Sequence, residues 1–236
     1  MNRIWRTSLL AIFALAASAL ADDVIFYAPF DGSPDAATAA GDKQAVYAKA
    51  PAYCQGIKGQ ALAMQFESIA YATKGNILVD QGTLTCWLKP TASWQKSKDY
   101  NWFFTAGEWK KSGLIYLYYC GDPINGPRFM LGKSSEANWG INAPKMEWTV
   151  DQWHFFACTW TAAGSRIALY VDGKLSSELA LGGDNFPKDV GNEIHLSSAV
   201  PTAMDELTIY NRALTAEEIG KKYEELKPAA EAPKAK

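Results

Sequence analysis

The chain has 236 residues, 48% of them apolar or aromatic and 20% charged, enough for one substantial core and unlike a disordered or collagen-like chain. Net charge is -2, and no basic stretch exceeds the pairs Lys110-Lys111 and Lys221-Lys222, which excludes the electrostatic footprint of a nucleic-acid-binding protein.

Residues 1–21 have the make-up of a secretory signal peptide: Arg3 and Arg6, then an apolar run over 9–17, then Ala19-Leu20-Ala21 as a small-x-small cleavage site. The apolar run is shorter than the roughly 20 residues a bilayer span needs, and no second one follows. The expectation is therefore export, extracellular or periplasmic, with no membrane span. Removing this segment takes away two arginines and no acid, so the remainder is more acidic.

Beyond it the texture is short runs of β-branched and aromatic residues separated by turn chemistry. Strands are predicted at 24–30, 61–66, 83–89, 102–106, 114–119, 128–131, 153–161, 166–171, 193–197 and 203–210. Asp172-Gly173, lying between 167–171 and Lys174-Leu175, predicts a two-residue hairpin because both turn positions need positive φ. A single helix is expected near the end: Thr215 and Glu218 form a capping box, Ile219, Tyr223 and Leu226 recur at helical spacing, and Pro228 stops the run. Residues 228–236, built of Pro, Ala, Lys and Glu, are too poor in apolar bulk to pack. These elements describe an all-β, antiparallel two-sheet sandwich over residues 22–227, one domain with one C-terminal helix docked on it.

Four cysteines, Cys54, Cys86, Cys120 and Cys158, follow the leader, without the close pairs of a zinc site. An exported chain permits disulfides, and at least one is expected, with the pairing open. Cys86 and Cys158 fall mid-strand and could equally be buried free thiols.

Six runs of residues carry a family resemblance. Tyr27-Ala28-Pro29-Phe30-Asp31-Gly32 is followed by Gly56-Ile57-Lys58-Gly59-Gln60-Ala61-Leu62 and Gly82-Thr83-Leu84-Thr85-Cys86-Trp87-Leu88-Lys89-Pro90. Gln152-Trp153-His154-Phe155-Phe156-Ala157, Leu169-Tyr170-Val171-Asp172-Gly173-Lys174 and Met204-Asp205-Glu206-Leu207 through Thr215 complete the order. Over residues 24–226 the chain resembles the LamG-like jelly-roll family, which implies the concanavalin A-like fold and binding of glycans or proteins outside the cell.

The resemblance also sets out what catalysis would need. Active glucanases on this fold carry an E-x-D-x-x-E run that aims carboxylates onto one face. That run is absent, and the adjacent Asp205-Glu206 would, in a regular strand, point to opposite faces. No hydrolase elbow, zinc-protease or phosphate-loop motif occurs, and His154 and His195 both fall within strands as structural residues.

In the wider superfamily a structural calcium often sits between the first and last strands. Carried over by motif, Asp205 is the carboxylate ligand, Pro29 a carbonyl donor and Gly59 a weaker third. The alternative is that Asp205 hydrogen-bonds the first strand's backbone. Eight tryptophans follow the leader, several in polar contexts where a ring could stack on a sugar face. Trp94, Tyr100, Trp109 and Trp139 are the expected ligand-binding residues.

The reading reached is a secreted, non-catalytic recognition module for a polysaccharide, glycoprotein or surface polymer. A diverged glycan-processing enzyme and a protein-binding envelope component are the alternatives.

Overall fold

The structure is a computed structural model that describes residues 23–228 apart from 67, 97–99, 122 and 144–146. The expected signal segment and the residues beyond Pro228 lie outside the described residues. The first eight strands are β1 (Val24–Ala28), β2 (Thr38–Ala39), β3 (Val46–Tyr47), β4 (Ala52–Gln55), β5 (Gln60–Met64), β6 (Ile69–Ala72), β7 (Gln81–Pro90) and β8 (Asn101–Ala106). They continue with β9 (Leu114–Cys120), β10 (Gly126–Gly132), β11 (Asn138–Asn142), β12 (His154–Thr161), β13 (Arg166–Val171), β14 (Lys174–Ala180), β15 (Glu193–Leu196) and β16 (Thr202–Tyr210). One helix, α1 (Ala216–Leu226), follows. All ten predicted strands form, their ends moved by at most two residues, and the fold is the expected jelly-roll sandwich.

The strands make two antiparallel sheets. The nine-stranded sheet runs β14-β13-β12-β7-β16-β1-β2, with β5 paired to the first half of β16 and β4 to β5. The seven-stranded sheet runs β11-β10-β9-β8-β15-β6-β3. Alternation assigns each strand's two faces. On β12, Phe156, Cys158 and Trp160 enter the core between the sheets, whereas Phe155 and Ala157 face outward. On β13, Ile167, Leu169 and Val171 go in and Ala168 and Tyr170 go out.

The helix is where sequence signals and packing agree most closely. Thr215 caps it, accepting from the Glu218 amide at 3.3 Å while its own N–H donates to the Glu218 carboxylate at 2.7 Å. Arg212 holds that carboxylate through both terminal nitrogens, at 2.9 and 2.7 Å, and donates from Nε to Asp23 at 2.7 Å, tying the helix start to the start of β1. The arginine pulls the Glu218 carboxyl down to about 2. Ile219 is fully buried against the outer face of the nine-stranded sheet, and the Tyr223 ring stacks on Trp87 at 5.7 Å. The predicted Asp172-Gly173 turn forms with φ +49° and +75° and packs beneath Tyr223, where a Cβ on Gly173 would lie only 3.0 Å from the tyrosine's Cβ.

Two expectations are corrected. The four cysteines are free thiols, and no disulfide forms among them. Cys86 lies opposite Phe156 and Cys158 opposite Leu84, so the two are diagonal across β7 and β12 rather than facing, too far apart for the short Cβ separation a bridge requires. Burial in the core pushes both thiols up.

The second correction concerns Asp205 and Glu206. A bulge between Asp205 and Thr208 on β16, with Glu206 at φ +51°, breaks the alternation. Asp205 lies opposite outward-facing Trp87, and Glu206 borders the same outer surface with Trp87 and Thr208, so both carboxylates serve one face rather than two.

Candidate functional site

The outer face of the seven-stranded sheet is aromatic because of how β8 and β9 alternate. On β9, Ile115, Leu117 and Tyr119 enter the core, which sends Tyr116 and Tyr118 outward. On β8, a bulge between Trp102 and Phe104 lets Phe103 and Phe104 both enter the core and leaves Trp102 outside beside Tyr118. The Trp102 ring lies 4.6 Å from Tyr118 and 5.5 Å, edge-on, from Tyr116. Tyr100 adds a fourth ring, 5.4 Å from Trp102 and 5.7 Å from Tyr118. From β10, Arg128 and Met130 lie opposite Tyr118 and Tyr116. With Thr105, Trp109, Asn138 and Ser197 they line an open cleft of about 690 Å³.

Trp109 reaches this cleft on the loop between β8 and β9, which is held in shape by its own backbone. Gly107 has φ +104°, and a Cβ there would fall 1.9 Å from the Gly113 carbonyl oxygen, so only glycine allows the two loop ends to meet. The Tyr116 hydroxyl donates to the Gly107 carbonyl at 2.8 Å, and the Glu108 amide donates to Ser112 Oγ at 2.8 Å. Tyr100 and Trp109 remain 53% and 50% exposed, unusual for rings of this size. Burial pushes the Tyr116 and Tyr118 phenols up to about 12, partly offset at Tyr118 by Arg128, so both stay protonated at neutral pH. No described lining residue carries a negative charge.

Of the four aromatics expected to bind ligand, the structure brings Tyr100 and Trp109 together and leaves two elsewhere. Trp94 is fully buried in a 3-10 turn (Trp94–Lys96), its Nε1 donating to Thr202 Oγ1 at 2.9 Å, so it offers no face to a ligand. Trp139 alternates inward on β11 and packs against the core beside Ile141. Sequence reasoning missed Tyr116, Tyr118 and Arg128, and it left Trp102, one of the tryptophans in polar contexts, out of the expected set. The period-two pattern of Tyr116 and Tyr118 was the available signal.

The residues carried over for calcium do not fit a cation's oxygen shell. Asp205 is fully buried, and its carboxylate accepts from the amides of Ile57 at 2.8 Å, Lys58 at 3.2 Å and Glu206 at 2.8 Å. Three N–H groups present a positive edge where a metal would have to sit. Gly59 already spends its carbonyl on the Gly56 amide at 3.0 Å, and Pro29 lies just past the end of β1. The turn between β4 and β5 is thus an amide cradle for Asp205, and it is this turn, not the first strand, that hydrogen-bonds the carboxylate. Among the described residues no cluster of His, Cys, Asp or Glu is arranged to hold a metal. Burial outweighs the three amides and raises the Asp205 carboxyl to about 7. Glu206 accepts from the Tyr27 hydroxyl at 3.0 Å and pairs with Lys58 at 3.5 Å, beside a smaller cleft of about 330 Å³ next to α1.

Comparison with known proteins agrees with this architecture. The family model of the concanavalin A-like lectin/glucanases superfamily (Laminin_G_3) matches residues 67–220. No curated protein matches. Among solved structures, the receptor-binding domain of botulinum neurotoxin D superposes with a TM-score of 0.73 at 14% identity, over 87% of this chain and 53% of that one. The serotype D ligand-binding domain in complex with N-acetylneuraminic acid gives 0.74 at 14%, over 89% and 52%. The serotype G binding domain gives 0.69 at 12%, over 85% and 50%. The chain thus spans about half of each of these domains, and at such identities the likeness shows the fold alone. With two stacked antiparallel sheets in jelly-roll order and a family model matching most of its length, the chain belongs to the concanavalin A-like lectin/glucanase superfamily.

Proposed function

We propose that this protein is a secreted, non-catalytic module that binds glycan in the aromatic cleft on the outer face of its seven-stranded sheet. The observation that carries the reading is the cluster of Tyr100, Trp102, Tyr116, Tyr118 and Trp109, two of whose rings stay half exposed on an ordered scaffold. Rings held in this way stack on the apolar faces of sugars, while Thr105, Asn138 and Ser197 supply hydroxyl and amide partners for sugar hydroxyls. A neighbour of the same fold was solved with a bound sugar acid, which supports a carbohydrate partner. Export rests on the leader-like residues 1–21.

Glycan processing has one observation in its favour: the bulge brings Asp205 and Glu206 to one face. Against it, both carboxylates are engaged, Asp205 by three amides and Glu206 by Tyr27 and Lys58, and neither lines the aromatic cleft. A glycan array followed by titration calorimetry tests the proposal. Wild-type protein should bind at least one glycan class, Trp109→Ala and Tyr100→Ala should each weaken binding by about ten-fold or more, and a reducing-end assay should show no new chain ends. Binding unaffected by both substitutions would place the ligand elsewhere, and new chain ends would make the protein an enzyme.

A further inference from the structure

Among the described residues that line the cleft one is charged, and its surroundings are unusual. Of the three described arginines, Arg166 pairs with Glu178 and Arg212 with Asp23 and Glu218, whereas Arg128 has no carboxylate partner among the described residues. Its side chain lies flat against β11 at Gly140, where an added Cβ would fall 2.1 Å from Nε and 2.4 Å from Nη2. Gly140 thus opens the groove that holds the guanidinium down on the sheet. Nε is buried there with no hydrogen-bond partner. Arg128 lies opposite Tyr118, and the other described lining residues are neutral. A cation fixed against the sheet, short of partners and flanked by rings, is arranged to meet an anion brought in by a ligand.

We infer that Arg128 makes this cleft selective for acidic glycans, pairing the free end of its guanidinium with the carboxylate of a uronic or sialic acid residue whose ring stacks on the neighbouring aromatics. The inference rests on the cleft being the glycan site and adds the charge class of the ligand. The planar fork matches a planar carboxylate in two parallel N–H···O bonds, which an ammonium cannot reproduce. Pairing also removes the cost of an under-bonded guanidinium, a gain that a neutral sugar does not provide.

Titration calorimetry on the full-length protein tests this with matched probes: tetragalacturonate against its methyl ester for the uronate source, and sialyllactose against lactose for the sialate source. At least one acidic probe should bind roughly ten- to a hundred-fold more tightly than its neutral partner. The preference should shrink in high salt. Arg128→Gln should abolish the preference, acidic-probe affinity falling to that of the neutral partner measured on the same variant. Arg128→Lys, which keeps the charge and gives a second check should the glutamine variant fold poorly, should retain only part of it. Equal affinity for acidic and neutral probes, or a preference that survives Arg128→Gln, overturns the inference while leaving the cleft as the glycan site. Absence of binding by all four probes, together with array binding insensitive to Trp109→Ala, overturns the cleft reading and the inference with it.

Discussion

The two outer faces of this sandwich are made of similar material and meet different fates. On the nine-stranded sheet, Trp87, Phe155, Tyr170 and Tyr210 point outward, and α1 closes over them through Ile219 and Tyr223. On the seven-stranded sheet, Trp102, Tyr116 and Tyr118 point outward too, and their neighbours Tyr100 and Trp109 stay half exposed. An aromatic face covered by its own helix contributes to stability, because its apolar area leaves water on folding. A face left open forgoes part of that contribution, and it is the face on which a partner's binding energy can be collected.

That contrast is sharpened most by Trp87→Ala. Trp87 is 1% exposed, touching Phe155 at 5.3 Å and Tyr223 at 5.7 Å, so its removal leaves a cavity beneath the helix. Urea denaturation should show a loss of about 3–5 kcal/mol. A loss below about 1 kcal/mol would mean that the helix lid does not hold this face.

The next effect comes from Asp205, which points to the covered side. Its carboxyl is raised to about 7 from an ordinary value of 3.8, so the folded state holds a proton that the unfolded chain releases. The associated stability is complete below the unfolded value and is lost as pH rises through about 7, with a slope of up to about 1.4 kcal/mol per pH unit in between. Glu218 has the opposite sign: held near 2, it contributes above the unfolded carboxylate value and loses that contribution only as pH falls toward 2. Chemical denaturation between pH 4 and pH 9, for wild type and for Asp205→Asn, separates the two. The wild-type curve should fall toward high pH relative to the variant's, and parallel curves would mean that Asp205 keeps its charge when buried.

The same two faces show how much was legible in the sequence. The covered face was, because its signals are local: Thr215 and Glu218 lie three residues apart, and Asp172-Gly173 admits few conformations. The open face was legible only in part. Tyr100 and Trp109 stood out as rings in polar company. Residues 114–119, Leu-Ile-Tyr-Leu-Tyr-Tyr, form an unbroken apolar run: period two puts Tyr116 and Tyr118 on one face, but nothing local tells which face is covered. Trp102 depended on a bulge, and Arg128 on the groove at Gly140, a strand away. Six strands were not predicted: β14, of which the hairpin reading marked only the start, and β2, β3, β4, β6 and β11, which are two to five residues long, too short to show an alternation, and form by pairing with a neighbouring strand. Asp205 and Glu206 were assigned to opposite faces because a bulge requiring a non-glycine residue at positive φ has no sequence signature.

On the open face the expected stability effect is small. Trp109 is half exposed on a loop whose shape is set by Gly107 and Ser112, so Trp109→Ala should change the unfolding free energy by no more than about 0.5 kcal/mol. Set beside Trp87→Ala, it asks one ring on each face the same question. A large loss at Trp109 would make that ring part of the core and remove the distinction between the two faces.

The smallest expected effect is that of a chelator. A ligand that binds only the native state raises apparent stability in proportion to the logarithm of its concentration over its dissociation constant, so stripping a structural calcium would lower the melting temperature. Here the carboxylate that would lead such a site already accepts three backbone amides, and the Gly59 carbonyl is committed to Gly56. An incoming cation would have to break those bonds and turn the β4–β5 turn around before gaining any of the six to eight oxygens it requires. Calorimetric melting with excess chelator and with added calcium should therefore give the same midpoint. A downward shift with chelator would mean that this turn rearranges around a metal and that the covered face depends on an ion as well as on its helix.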